Sequence, residues 1–193
     1  MLSELRRLRR LAPVFVAALA PASLGADVIE RILAVVDGRP LMLSEVRILQ
    51  RMRGLDEAAA VEALVDERLM LREASRLPQA AVSAADEERA YASLRERHPA
   101  AAADLPESDL RRLARRQTAI LKYVEFRFRP QVRVSEGDVR RAYDEAYAGR
   151  ADAPAFEAAA EDLRGRLADR ELDERIEAWV RELRSSAEIR YNR

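Results

Sequence analysis

The sequence predicts a mainly α-helical single domain with a small N-terminal β-hairpin, whose sheet is completed by a strand at the C-terminal end. Three observations predict it. Ala34-Val-Val-Asp-Gly-Arg-Pro-Leu-Met-Leu-Ser-Glu-Val46 reads as strand, tight turn, strand and helix start within thirteen residues. From there almost to the end, apolar residues recur with helical spacing between capping and breaking signals. The tail Ala187-Glu-Ile-Arg-Tyr191 then switches to alternation with period two, the signature of a strand.

In the hairpin, Asp37-Gly38 supplies the two positive-φ positions that a type I′ turn requires. Ser44 is expected to cap the helix that follows, which runs to about Arg53 and stops at Gly54. A hairpin this short does not stand alone in water, so a later segment must complete its sheet. A second helix is expected from Glu57 to Leu77, with Val61, Leu64, Val65 and Leu69 on one face and Pro78 as its stop. Ser83-Ala-Ala-Asp86 reads as a capping box with Asp in the Glu position, opening a third helix that ends near His98-Pro99. Ala100 to Leu105 reads as a linker. The fourth helix, from Glu107 to Arg129, gathers Leu110, Leu113, Gln117, Ile120, Leu121, Val124 and Phe128 into one stripe. Ser135-Glu-Gly-Asp138 opens a fifth helix through Tyr147, and residues 148–155 form a small loop. A long last helix, 155–186, carries Phe156, Leu163, Leu167, Ile176, Trp179, Val180 and Leu183 as its apolar positions.

Residues 1–26 read as a secretory signal peptide. Arg6, Arg7, Arg9 and Arg10 form the basic start, Leu11 to Leu24 the apolar stretch, and Ala22 or Ala26 a cleavage point. An uncleaved N-terminal anchor is the competing reading. Removal of this segment leaves 30 basic against 33 acidic residues, a net charge of −3, with no global pull towards nucleic acid. Residues 27–193 are long enough to bury about 70% of their unfolded surface in one core. The sequence has no cysteine, which excludes a disulfide framework and thiol chemistry. Lys122 is the only lysine among 34 basic residues, a compositional bias rather than a functional mark.

Taken in order, the segments resemble the N-terminal chaperone domain of exported folding factors of the SurA, PpiD and PrsA type. Residues 34–46 resemble that family's opening, and Ala63-Leu-Val-Asp-Glu-Arg-Leu-Met-Leu-Arg-Glu-Ala74 with Val82-Ser83 resembles its acid- and base-bearing helix. Arg111-Arg-Leu-Ala-Arg-Arg-Gln117, with Val132-Arg-Val-Ser135 downstream, is similar to the segment that ends its N-terminal part, here 27–147. Phe156-Glu157, Ile176-Glu-Ala-Trp-Val-Arg-Glu-Leu183 and the tail to Tyr191 resemble the closing helix and strand, 155–191. The departure lies between these parts. Enzyme-bearing relatives carry a parvulin prolyl isomerase domain there, on the order of a hundred residues. This sequence has only the loop 148–155 and none of the parvulin hallmarks. The resemblance therefore implies the chaperone half without isomerase activity.

Other chemistry is weakly signalled. His98 is expected to interact with the last carbonyls of its helix, and it has no cysteine or second histidine with which to hold a transition metal. Asp86-Glu87-Glu88 and Glu161-Asp162 suit first helical turns and exposed faces rather than acid–base catalysis. No glycine-rich phosphate loop is present, so no nucleotide or other cofactor is expected. Arg111, Arg112, Arg115 and Arg116 read either as an anion-binding patch or as a solvated face paired with nearby acids, and the net charge favours the second.

The functional expectation is an ATP-independent periplasmic chaperone that holds unfolded outer-membrane or secreted polypeptides, with no nucleic acid and no metal among its partners. Homodimerisation is left open. Unfolded outer-membrane strands alternate apolar and polar residues, so an aromatic and Met-lined surface can hold them without reading sequence. The candidate contacts by residue type and placement are Met42, Met52, Met70, Tyr91, Tyr123, Phe126, Tyr143 and Tyr147. Phe126 lies about 160° and Tyr123 about 100° from the centre of the fourth helix's stripe, so each is either exposed or packed against the last helix. Two other readings remain: an accessory module dedicated to one secreted partner, and a prolyl isomerase with an unrecognised site.

Overall fold

The computed structural model describes residues 30–192; the predicted signal segment lies outside the described residues. Strand β1 (Ile32–Val36) turns through Asp37-Gly38 into β2 (Arg39–Met42), and helix α1 (Leu43–Arg53) follows directly. Both turn residues take positive φ, 48° at Asp37 and 77° at Gly38, as the type I′ reading requires. Strand β3 (Ile189–Tyr191) returns to β1, making a three-stranded sheet in the order β2-β1-β3. Val35 lies opposite Arg190 and Val36 opposite Ile189 in antiparallel register, so the two ends of the described chain meet in one sheet. The fold is mainly α-helical with a terminal hairpin and a closing strand, as the sequence predicts.

Between the strands lie α2 (Glu57–Ala74), α3 (Ala84–Arg97), α4 (Pro99–Asp104), α5 (Glu107–Arg127), α6 (Glu136–Tyr147) and α7 (Phe156–Ser186), with short 3-10 turns at Pro78–Ala80 and Arg129–Gln131. The capping boxes at Ser83 and Ser135 both form: each serine oxygen accepts the N–H of the aspartate three residues on, and each aspartate accepts the serine N–H in return.

Two local expectations are corrected. Ser44 does not cap α1. The helix begins one residue earlier, the Glu45 carboxylate accepts the Met42 N–H, and the Ser44 N–H donates to Glu30 instead. The stretch 100–105 is not a plain linker. Pro99 fits the first helical position, where its missing N–H is not needed, and the alanines after it have the strongest helix propensity.

The main core joins the inner face of the sheet to α1, α2, α5 and the second half of α7, with Leu41, Val46, Leu49, Val65 and Leu69 almost fully buried. A second cluster, around Met52, Tyr91, Leu94, Leu110 and Leu113, joins α1, α3 and α5. A third, around Val139, Ala159 and Leu163, joins α6 to the first half of α7. At 1.5 Å per residue the 31-residue α7 is about 46 Å long, long enough to serve the third cluster at one end and the main core at the other.

The closure is reinforced by polar contacts at the turn. The Asp37 N–H donates to the Glu188 carbonyl at 2.9 Å, and the Glu188 N–H donates back to the Asp37 carboxylate at 2.9 Å. Arg72 of α2 pairs with the same carboxylate. Further along, Arg184 of α7 pairs with Asp66 and Glu62 of α2, and the Tyr191 hydroxyl donates to Glu62.

Candidate functional site

The eight residues singled out from the sequence do not form one surface. Met52 and Tyr91 are buried in the second cluster, where the Arg111 guanidinium lies 4.3 Å over the Tyr91 ring. Tyr143 and Tyr147 pack with Phe156 in the third cluster, and the Tyr143 hydroxyl donates to the Pro154 carbonyl. Met42 is half-buried at the start of α1. Tyr123 packs on the last helix, its ring stacked on Trp179 at 4.9 Å and 12°. Phe126, one turn on, is not covered and is 51% exposed. The two neighbouring aromatics of α5 thus have opposite fates, because α7 reaches only one side of the helix.

Met70 alone lines a sizeable apolar groove. The groove has a volume of about 560 Å³ and is walled by α2, α3 and α5, with Ile176 of α7 and Arg53 of α1 at its margins. Met70, Leu94, Ile120, Leu121 and Val124 line it together with Ala63, Ala90 and Ala114. Leu121, at one edge of the predicted stripe, is 58% exposed. That stripe is wider than its neighbours cover: Leu110, Leu113 and Val124 are buried, whereas Leu121 opens on the groove.

Charge frames the groove. Glu67 is a polar residue buried in α2 at 6% exposure; its carboxylate accepts from the Arg116 Nε at 2.6 Å. The sequence carried a signal for this: Glu67 continues the spacing of Ala60 and Leu64 along the inner face of α2. Arg53 and Arg97 add two cations to the lining.

The basic run of α5 is a paired face. Arg111 pairs with Glu88 and Glu107, Arg112 with Asp109, Arg115 with Glu87 and Arg116 with Glu67. Lys122 completes this line of contacts by bridging to Asp86 at 2.9 Å. The hydrogen bond from Lys122 and those from Ser83 hold the Asp86 carboxyl well below the usual carboxylate range. Its role is to cap α3 and tie it to α5.

His98 joins α3 to α4 through its backbone, donating to the Leu94 carbonyl and accepting from the Ala102 N–H. Among the described residues its imidazole makes no hydrogen bond to the helix-end carbonyls, contrary to expectation. No cluster of three or more His, Cys, Asp or Glu suited to a metal ion occurs among the described residues, and none of their helices is long and apolar enough to cross a membrane. No known family model and no curated protein matches the chain.

Proposed function

We propose that this protein is an exported, ATP-independent chaperone that holds unfolded envelope polypeptides, built on a chaperone domain of the SurA, PpiD and PrsA type without the isomerase insert. The observation that carries the reading is the open apolar groove of α2, α3 and α5, with Leu121 exposed on its wall. A chaperone without nucleotide must bind weakly and release spontaneously. Shallow apolar ground framed by charge does this: it gains from burying client side chains without offering a deep, shape-specific pocket. Met70 adds a flexible side chain that adapts to different clients. The loop 148–155 leaves no room for the isomerase insert of the relatives, so holding rather than catalysis is the proposed activity.

The test is suppression of aggregation of a chemically unfolded outer-membrane protein diluted into buffer, followed by light scattering. Leu121→Asp puts a charge on the groove wall without touching the buried core. It is expected to reduce suppression at least fivefold, while Phe126→Ala has a smaller effect because Phe126 lies outside the groove. Full suppression by Leu121→Asp would refute the groove as the holding surface. Acceleration of prolyl isomerisation in a peptide assay would refute the exclusion of catalysis.

A further inference from the structure

On another side of α5, the contact of Tyr123 with Trp179 forms the floor of a second cleft. The cleft is about 820 Å³ in volume and lies between the ends of α2 and α5, the turn at Arg129–Gln131 and the second half of α7. Phe128 closes the aromatic floor, its ring 5.2 Å from that of Trp179. Four arginines line the cleft, Arg72, Arg76, Arg127 and Arg175, against two acids, Glu73 and Glu182. Three of the four are occupied: Arg72 and Arg76 share Glu73, and Arg175 pairs with Glu171. Arg127 makes no ion pair among the described residues.

Trp179 carries the second observation. Its side chain is only 9% exposed, and its indole N–H has no hydrogen-bond partner among the described residues. Among the described residues no fully sealed side-chain nitrogen or oxygen lacks a partner, so this N–H is reachable, and Trp179 lines the cleft. A reachable indole N–H and a guanidinium without an ion pair that line one cleft, where arginines outnumber acids four to two, suit an anionic acceptor. The aromatic floor adds a preference for a flat apolar neighbour to that anion.

We infer that this cleft binds acidic-aromatic peptide segments, in which an Asp or Glu side chain adjoins an aromatic one. The carboxylate takes the Arg127 guanidinium and the Trp179 N–H; the aromatic side chain lies against Tyr123, Trp179 and Phe128. The volume suits a short stretch of chain rather than a small ion. The site is separate from the apolar groove and does not depend on the function proposed for it.

Trp179 is the only tryptophan, so its fluorescence reports directly on the cleft. The intact protein is titrated with acetyl-Gly-Phe-Asp-Phe-Gly-amide, in which the Asp side chain is the only carboxylate. The expected result is a saturable change in emission, with binding about tenfold or more weaker for the Asn counterpart and for Arg127→Ala, the loss of one charge-assisted contact. Leu121→Asp, in the groove, is expected to leave the titration unchanged. Equal binding of the Asp and Asn peptides, or unaltered binding by Arg127→Ala, overturns the inference. Loss of binding in Leu121→Asp overturns it too, by placing the peptide in the groove. The same saturable change with inorganic phosphate alone would reassign the cleft to a simple anion and overturn the peptide reading.

Discussion

Asp37 makes the sealing of the sheet testable at a single residue. Its carboxylate accepts the Glu188 N–H and pairs with Arg72, and its backbone holds φ at 48°. Asp37→Ala removes all three supports. The hydrogen bond to the N–H of the return strand contributes about 1 kcal/mol after allowance for a side chain that is 32% exposed. The ion pair adds a few tenths of a kcal/mol at that exposure. Forcing alanine into the left-handed region costs about 1 kcal/mol more than aspartate, whose side chain tolerates it. Together these give a loss of about 2 kcal/mol, or about 4–8 °C in Tm for a domain of this size. Asp37→Asn keeps the acceptor oxygen and the backbone tolerance and loses only the ion pair, so it is expected to fall by about 0.5 kcal/mol. Asp37→Gly relieves the backbone but loses the acceptor, and falls in between. Urea unfolding followed by far-UV circular dichroism measures all three, with an unchanged m-value marking a true change in stability. Asn as destabilised as Ala, or Ala within 0.5 kcal/mol of the parent protein, would refute this account of the closure.

The buried pair on the groove wall and the cap of α3 give two further tests. Glu67→Ala strands Arg116 and is expected to cost about 3 kcal/mol, the low end for a broken buried pair because Arg116 keeps 21% exposure; Glu67→Leu with Arg116→Leu should recover most of the loss, as urea midpoints will show. Asp86 has a depressed carboxyl pKa in the folded state, held down first by Lys122 and then by Ser83. Its contribution to stability is therefore complete above the ordinary aspartate value near 3.8 and fades as pH falls below it. Asp86→Asn should flatten the fall in unfolding free energy between about pH 4 and pH 2 and leave it unchanged nearer neutrality, and an unaltered slope in that acid window would refute the linkage.

The sequence made some features legible because one local requirement admits few residues. Asp37-Gly38 announces its turn through the demand for positive φ at both positions, and Ser83 and Ser135 announce helix starts through the reciprocal bonds of their aspartates. The α5 stripe was legible as an apolar face, but periodicity cannot say whether a neighbour covers each part of it. Leu110 and Leu121 lie close together on that face, yet one is 2% and the other 58% exposed. The same gap scattered the aromatic candidates. Tyr91 and Tyr143 look alike in sequence to an exposed tyrosine, and only the packing of α3 against α5 and of α6 against α7 decides that both are covered. The arginines of α5 were half legible: Arg111–Glu107 and Arg112–Asp109 follow helical spacing, whereas Glu87 and Glu88 come from another helix.

Both candidate surfaces arise from one property of α5, an apolar and aromatic circumference wider than a single neighbour can cover. Around the helix, Gln117, Ile120, Leu121 and Val124 centre on the groove, while Tyr123 lies about 110° and Arg127 about 70° away, on the cleft. Helices α2 and α7 serve both sides, α2 with Met70 towards the groove and Arg72 towards the cleft, α7 with Ile176 and then Trp179. The return of β3 to β1 anchors the second half of α7 beside α2 through Arg184, Asp66 and Glu62. That placement sets Trp179 against Tyr123 and divides the two openings. A loosened closure in Asp37→Ala should therefore perturb the cleft before the groove, since the cleft is built on α7 for half of its wall. Trp179 emission of the folded variant, without urea, is expected to differ from that of the parent protein while the far-UV helical signal does not. Unaltered native emission would mean that α7 is held by the core alone and owes nothing to the sheet.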